Sequence, residues 1–179
     1  MRICGIDPGL ETTGYGVIEA GAGRQTLVAV GVLRASPTLP LPARLRTIYQ
    51  GMRTLLEKTQ PDCVVLEDLY SHYAHPTTAI LMGHVRGVIL LAAGEAGISV
   101  AHYPPTHIKK AVTGRGHATK SQIQRMVQML LNLPTPPEPD DAADALAIAM
   151  THAHTLRTPF AVARGGLTGR APRVAEAVR

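Results

Sequence analysis

The sequence predicts an α/β fold, a mixed five-stranded sheet flanked by helices, and three observations carry that expectation. Short apolar runs joined by glycine-rich turns open the chain, the pattern of an antiparallel meander. From residue 41 onward, segments of helical period alternate with further short apolar runs, the pattern of parallel strands linked by crossovers. The runs are apolar nearly throughout, as they must be in a sheet covered on both faces.

Residues 2–7, Arg2-Ile3-Cys4-Gly5-Ile6-Asp7, form the first expected strand, ended by Pro8-Gly9. Strands at 13–20 and 26–35 follow. Residues 41–59 read as an amphipathic helix through Leu45, Ile48, Met52, Leu55 and Leu56. The run 62–69 is a fourth strand, reached through that helix and so expected parallel to the first. A long apolar helix spans about 76–96. Its apolar residues, from Ala79 through Ala93, exceed one stripe, and Gly83, Gly87 and Gly94 would let another backbone approach. Burial within its own chain and pairing with a second copy both fit that pattern. A short strand at 98–103 and helices at about 105–112, 119–131 and 140–155 complete one domain, residues 1–155.

Residues 156–179 contain Arg157, Arg164, Arg170, Arg173 and Arg179 against Glu176, are rich in Gly and Pro, and lack periodicity. They are expected to form a disordered basic tail. No stretch is expected to span a bilayer, and Asp7 interrupts any N-terminal signal core, so a cytoplasmic protein is expected. Cys4 and Cys63 fall inside strands, without metal-ligand spacing, and read as buried reduced thiols.

The formal charge of +5 is unevenly spread. From Ala96 to Pro137 there is no acid, while Lys109, Lys110, Arg115, Lys120 and Arg125 all lie there. A solvated basic face is the plain interpretation; beside a carboxylate cluster it reads as a phosphate-binding surface.

That cluster is the leading signal. Asp7 ends an apolar strand, Glu67-Asp68 closes the run Cys63-Val64-Val65-Leu66, and Asp141 and Asp144 sit at the start of an alanine-rich helix. Asp-Pro-Gly is also a good turn sequence, and Asp140 can serve as a helix N-cap. Neither role accounts for Asp144, one turn inside the helix and on the same face as Asp141, where like charges repel unless a cation intervenes. Parallel first and fourth strands would place Asp7 and the acid after strand four at one sheet edge, where open α/β sheets put their sites. All-oxygen donors suit Mg²⁺ or Mn²⁺ rather than zinc. A pair of such ions could drive an in-line phosphoryl displacement.

Gly5-Ile6-Asp7-Pro8-Gly9 with Thr13-Gly14-Tyr15-Gly16, the acid after strand four, Gly114 to Ser121, and Asp141-Ala142-Ala143-Asp144-Ala145-Leu146-Ala147-Ile148-Ala149 occur in that order over residues 1–155. In these segments the chain resembles the RuvC family of bacterial Holliday-junction resolvases, crossover-junction endodeoxyribonucleases with a ribonuclease-H-like fold. The resemblance implies that Asp7, Glu67, Asp141 and Asp144 are the metal-binding catalytic acids. It is the resemblance that selects Glu67 over Asp68; pattern alone leaves either. It further implies roles at the DNA for Lys109 and Lys120, with Lys120 near the scissile phosphate, and for Tyr70, which stands where the family often has Phe. Lys110 and Arg115 join them as expected DNA contacts. A homodimer making paired symmetric nicks in a four-way junction, and a complex with the RuvA and RuvB branch-migration proteins, follow from the same resemblance.

Two rivals stand beside this one. An actin-like ATPase or sugar kinase also uses an Asp-x-Gly hairpin, but needs two such domains and more chain. A junction-binding protein without chemistry would leave the acids purposeless. The loop Gly114–Ser121 follows no strand, which argues against a nucleotide-binding loop. His152 and His154 point to different faces of their helix and make a poor ligand pair.

Overall fold

The computed structural model describes residues 1–68 and 76–157. The elements run β1 (Arg2–Asp7), β2 (Thr12–Gly21), β3 (Arg24–Arg34), α1 (Leu41–Thr59), β4 (Cys63–Glu67), α2 (Pro76–Glu95), β5 (Ser99–Tyr103), α3 (Pro105–Thr113), α4 (Lys120–Leu130) and α5 (Asp140–Arg157). They build the expected mixed sheet, in the order β3-β2-β1-β4-β5. β1 pairs antiparallel with β2 and parallel with β4, while β4 pairs parallel with β5. The β2–β3 hairpin turns through Ala22 (φ 47°) and Gly23 (φ 81°), both left-handed as a two-residue turn matched to strand twist requires.

Strand side chains alternate between the two faces, and the core divides accordingly. Ile3, Ile18 and Val65 pack with α3, α4 and α5 on one side. Cys4, Ile6, Val64 and Leu66 pack with α1 and α2 on the other. The same period of two sends Asp7 and Glu67 to the α5 side, because they follow Ile3 and Val65 at even steps.

Helix α5 lies unusually close to the sheet. Gly5, Gly14 and Gly16 leave its backbone room: a Cβ on Gly5 would stand 2.1 Å from the Ala145 carbonyl oxygen, and one on Gly14 2.0 Å from that of Asp141. A Cβ on Gly16 would collide with Leu146 at 2.7 Å. Ala142, Ala143, Ala145, Ala147 and Ala149 supply the matching thin face on the helix, all buried. Small residues on both partners allow a dense contact with little side-chain entropy to lose. That contact sets the height of the helix over β1 and β2.

Four features depart from the sequence expectations. β4 ends at Glu67, two residues early, and Tyr70, with the neighbouring His72, Tyr73 and His75, lies outside the described residues. α5 runs two residues beyond Thr155, because Arg157 Nη1 donates to the Gly23 carbonyl (3.1 Å) and anchors the last turn to the hairpin. Residues 158–179 of the expected tail are outside the described residues. Asp140 lies within the first turn of α5, and its carboxylate accepts from Gln124 Nε2 (2.7 Å) on α4 instead of capping the helix.

The fourth departure is α2. Thr77–Glu95 is long and apolar enough to cross a bilayer by length and composition, with a mean hydropathy of 1.4. Its glycines and Arg86 do not pull the average down far enough to exclude it. One face is buried through Val85, Ile89, Ala92 and Ala93 against the α1 side of the core. On the opposite face Ile80 and Leu91 are 60% and 54% exposed, and a Cβ on Gly83, Gly87 or Gly94 would meet nothing within 4 Å among the described residues.

The close seat of α5 is testable. Gly14→Ala drives a methyl into the Asp141 backbone, and overpacking of that kind costs about 1–3 kcal/mol. Gly21→Ala, whose Cβ meets nothing within 4 Å, should change stability by no more than about 0.5 kcal/mol. Urea denaturation of the two variants checks the contrast, and equal midpoints would show that the glycine seat is not tight.

Candidate active site

Four acids reach one sheet edge by three routes. Asp7 ends β1, Glu67 ends the neighbouring parallel strand β4, and the first turns of α5 carry Asp141 and Asp144 above them. The register makes the approach explicit. Asp7 is paired with Gly14, and Gly14 is the residue against which the Asp141 backbone rests. The turn after Asp7 is closed by Thr13, whose buried hydroxyl donates to the Gly9 carbonyl (2.7 Å) and accepts from the Gly9 N–H (3.2 Å). Thr13 performs the turn-forming task that the Asp-Pro-Gly sequence offered to Asp7.

The charges of these groups act on one another. Asp7 is pushed up to about 7, first by burial and then by the carboxylates of Asp144, Asp141 and Glu67, against the opposing pull of Lys120. Glu67 is raised by burial and by Asp144, and lowered by Lys109 and Arg86. Asp144 is raised chiefly by burial, with Lys120 opposing. A raised carboxyl pKa records an uncompensated negative potential in a place that water reaches poorly. Among the described residues, no three His, Cys, Asp or Glu side chains converge on a single ion position as they stand. Ligation by three of the four acids therefore requires side-chain rotation. The donor set is all oxygen, its potential is negative, and both properties fit a hard divalent cation.

Two of the expected basic residues meet the acids. Lys120, the first residue of α4, places Nζ 3.7 Å from Asp144 Oδ2. It is carried there by a firm helix start, in which Thr119 and Gln122 form a reciprocal capping box. This box, with no strand before it, also disposes of a nucleotide loop at Gly114–Ser121. Lys109 is close enough to Glu67 to lower its pKa. Lys110 and Arg115 are exposed on α3 and the loop behind it. His152 is not a ligand; its Nδ1 hydrogen-bonds the Tyr103 hydroxyl at 2.8 Å.

Sequence reasoning passed over Arg86. It is the single charge of α2 before Glu95, and in the fold it is 8% exposed beside the end of β4. A lone arginine inside an apolar helix was the available signal. Thr13 was also missed, since nothing in a strand sequence marks one threonine as a turn lock.

The family model for crossover junction endodeoxyribonuclease RuvC matches residues 3–152. The crossover junction endodeoxyribonuclease RuvC of Rhodopirellula baltica is 50% identical over 158 residues, covering 88% of this chain and 89% of that protein. A solved structure of Thermus thermophilus RuvC superposes with a TM-score of 0.80 at 36% identity, over 89% of this chain and 97% of that one. T. thermophilus RuvC in complex with Holliday junction substrate also gives 0.80, at 33% identity, over 88% and 96%. The ribonuclease-H-like sheet expected from the sequence is thereby borne out. An acid cluster at the carboxyl ends of β1 and β4, roofed by α5, is thus set in a fold and a sequence that agree, and the chain belongs to the RuvC family of crossover junction endodeoxyribonucleases.

Proposed function

We propose that this chain resolves four-way DNA junctions by metal-dependent phosphodiester hydrolysis, with Asp7, Glu67, Asp141 and Asp144 as the ion-holding acids and Lys120 beside the scissile phosphate. The carrying observation is Asp7, a half-buried carboxyl raised to about 7 by desolvation and three other acids, at the end of the central strand. Such a group is poorly satisfied by the protein alone and is improved by a cation. Two bound Mg²⁺ or Mn²⁺ ions would supply activation of water and stabilisation of the departing oxygen. The chain's own residues do the rest. Asp7 and Glu67 fix one side of the site on adjacent strands, and α5 fixes the other. Lys120, 69% exposed and tethered by Asp144, offers its ammonium to a phosphate oxygen arriving from solvent. Lys109 extends that positive edge toward Glu67, and Lys110 and Arg115 track the flanking backbone. Tyr70 is assigned a stacking role at the junction, on the family resemblance.

A four-way junction has two equivalent strands to cut, which a two-fold dimer does most simply. The exposed face of α2, with Ile80, Leu91 and the three open glycines, supports that surface for a second copy. An association with RuvA and RuvB, a cytoplasmic location and a basic tail that adds weak duplex affinity belong to the same reading.

Asp7→Asn separates hydrolysis from binding. Nicking of a synthetic junction in Mg²⁺ should fall at least about 100-fold, since charge stabilisation of this kind is worth that much or more. Junction affinity in EDTA should hold or rise, because one negative charge facing the phosphates is gone. Wild-type nicking by the purified variant would overturn the role of Asp7.

Stability without divalent ions should depend on pH with a definite sign. Folding raises Asp7 from 3.8 to about 7, so the folded chain holds a proton that the unfolded chain releases within that window. The melting temperature in EDTA should therefore fall as pH rises from about 4 to 7, and Asp7→Asn should flatten the slope. Glu67 and Asp144, shifted in the same direction, keep the variant from being entirely flat. Parallel profiles for the two proteins would contradict the burial of Asp7.

For the basic edge, Lys120→Ala should lower nicking more than binding, whereas Lys110→Ala should mainly weaken binding. Each phosphate contact removed flattens the slope of log affinity against log salt by about one. Unchanged slopes in both variants would show that neither residue touches DNA.

A further inference from the structure

We infer that Arg86 is a positioning residue for Glu67, through which the seating of α2 sets the cation affinity of the nuclease site; this rests on the function proposed above. The need for such a residue follows from where Glu67 lies. The β1–β4 ladder ends at the pair Ile6–Leu66, so Glu67 stands one step beyond the last support from β1. On the β5 side its backbone is held: Glu67 is paired with Tyr103, and the Asp68 N–H donates to the Tyr103 carbonyl at 2.8 Å. In a trans peptide the Glu67 carbonyl points opposite to that N–H, toward the side on which the β1 ladder has ended. Arg86 Nη1 donates to that carbonyl.

The same guanidinium reaches a second anchor. Arg86 Nη2 lies 3.0 Å from His102 Nδ1, on the penultimate residue of β5. Burial, and then Arg86 itself, lower the His102 pKa, which keeps the ring neutral and able to accept. The planar fork of an arginine thus spans the carboxyl ends of β4 and β5 from one face, while the Glu67 side chain projects to the other. Lysine offers a point charge on a flexible stem and cannot hold two acceptors in fixed relation. A guanidinium only 8% exposed in a helix that carries no other full charge before Glu95 is costly to bury without such a purpose.

The arrangement makes α2 part of the site. The helix buries Val85 and Ile89 against the core, presents Ile80 and Leu91 to the outside, and sends Arg86 from its flank to the Glu67 backbone. A displacement of α2 moves the carbonyl contact and, with it, the strand end from which the carboxylate projects.

The test compares wild type with Arg86→Lys, Arg86→Met and His102→Ala. Two quantities are measured across a Mg²⁺ titration: the rate of junction nicking and the rise in melting temperature caused by the ion. The half-saturating Mg²⁺ concentration should increase about 10-fold or more in Arg86→Met, less in Arg86→Lys, and least in His102→Ala. The Mg²⁺-induced rise in melting temperature should shrink in the same order, while junction affinity in EDTA stays within about twofold of wild type. A merely structural arginine would lower the melting temperature in EDTA and leave the half-saturating concentration and the ion-induced rise untouched. That result overturns the inference. If Arg86→Met does not fold, Arg86→Lys and the exposed-site change His102→Ala decide the matter. If the wild type shows an ion-induced rise but no nicking, the nuclease reading fails while the link between Arg86 and ion binding is still decided by the melting series.

Discussion

Everything at this site depends on how near a helix backbone can come to a strand. Gly5, Gly14 and Gly16 on the sheet, facing alanines on α5, bring two backbones together with almost no side chain between them. At ordinary helix-on-sheet spacing Asp141 and Asp144 would stand too high to act on a carboxylate at the end of β1. The acids are short: an aspartate side chain extends only two bonds from its backbone. Clustering them requires that their backbones be clustered first, and glycine opposite alanine achieves that. Catalytic geometry and core packing are therefore the same contact viewed from two ends of one helix.

The cluster that results is electrostatically unfavourable in itself. Burial and mutual repulsion raise Asp7, Glu67 and Asp144 together, while Lys120, Lys109 and Arg86 work in the other direction. The rest of the fold is ordinary by comparison, with two apolar clusters on either side of a twisted sheet and reduced thiols inside them. Burial pushes Cys4 up to about 12, which makes it a small apolar residue for all practical purposes. The local strain of like charges is borne by a scaffold rigid enough to withstand it, because strand ends and the first turns of a packed helix have little freedom to separate.

The sheet and most helix limits were legible in the sequence because period two, period 3.6 and glycine-proline punctuation report directly on backbone geometry. Asp7, Asp141 and Asp144 were legible for a related reason: a carboxylate on an apolar skeleton contradicts its surroundings. Glu67 against Asp68 was not settled by pattern, and it is the alternation along β4 that sends Glu67 to the α5 face. The glycine seat escaped notice because its meaning lies in what stands opposite, and Gly14 and Asp141 are far apart along the chain. Arg86 escaped for the same reason, since its partners are a backbone carbonyl and a histidine on other elements. The last turn of α5 extended past its expected end through a contact with the distant Gly23. Long-range pairing is the common property of these three, whereas Thr13 acts on Gly9 only four residues away.

The open glycines of α2 have a consequence for local stability. Each glycine in a helix interior costs about 1 kcal/mol relative to alanine, and Gly83 and Gly87 lie well inside this one. Neither makes room for anything among the described residues. Within the chain α2 is consequently a weak helix, held by one apolar face, by Arg86 and by its tie to α1, where the Tyr49 hydroxyl donates to Glu95. Such an element opens at lower free energy than the sheet beneath it, and its amides exchange with solvent earlier. Because Arg86 travels with it, each opening also removes the contact to the Glu67 carbonyl at the end of β4, so the acid cluster shares in the opening of a helix outside it.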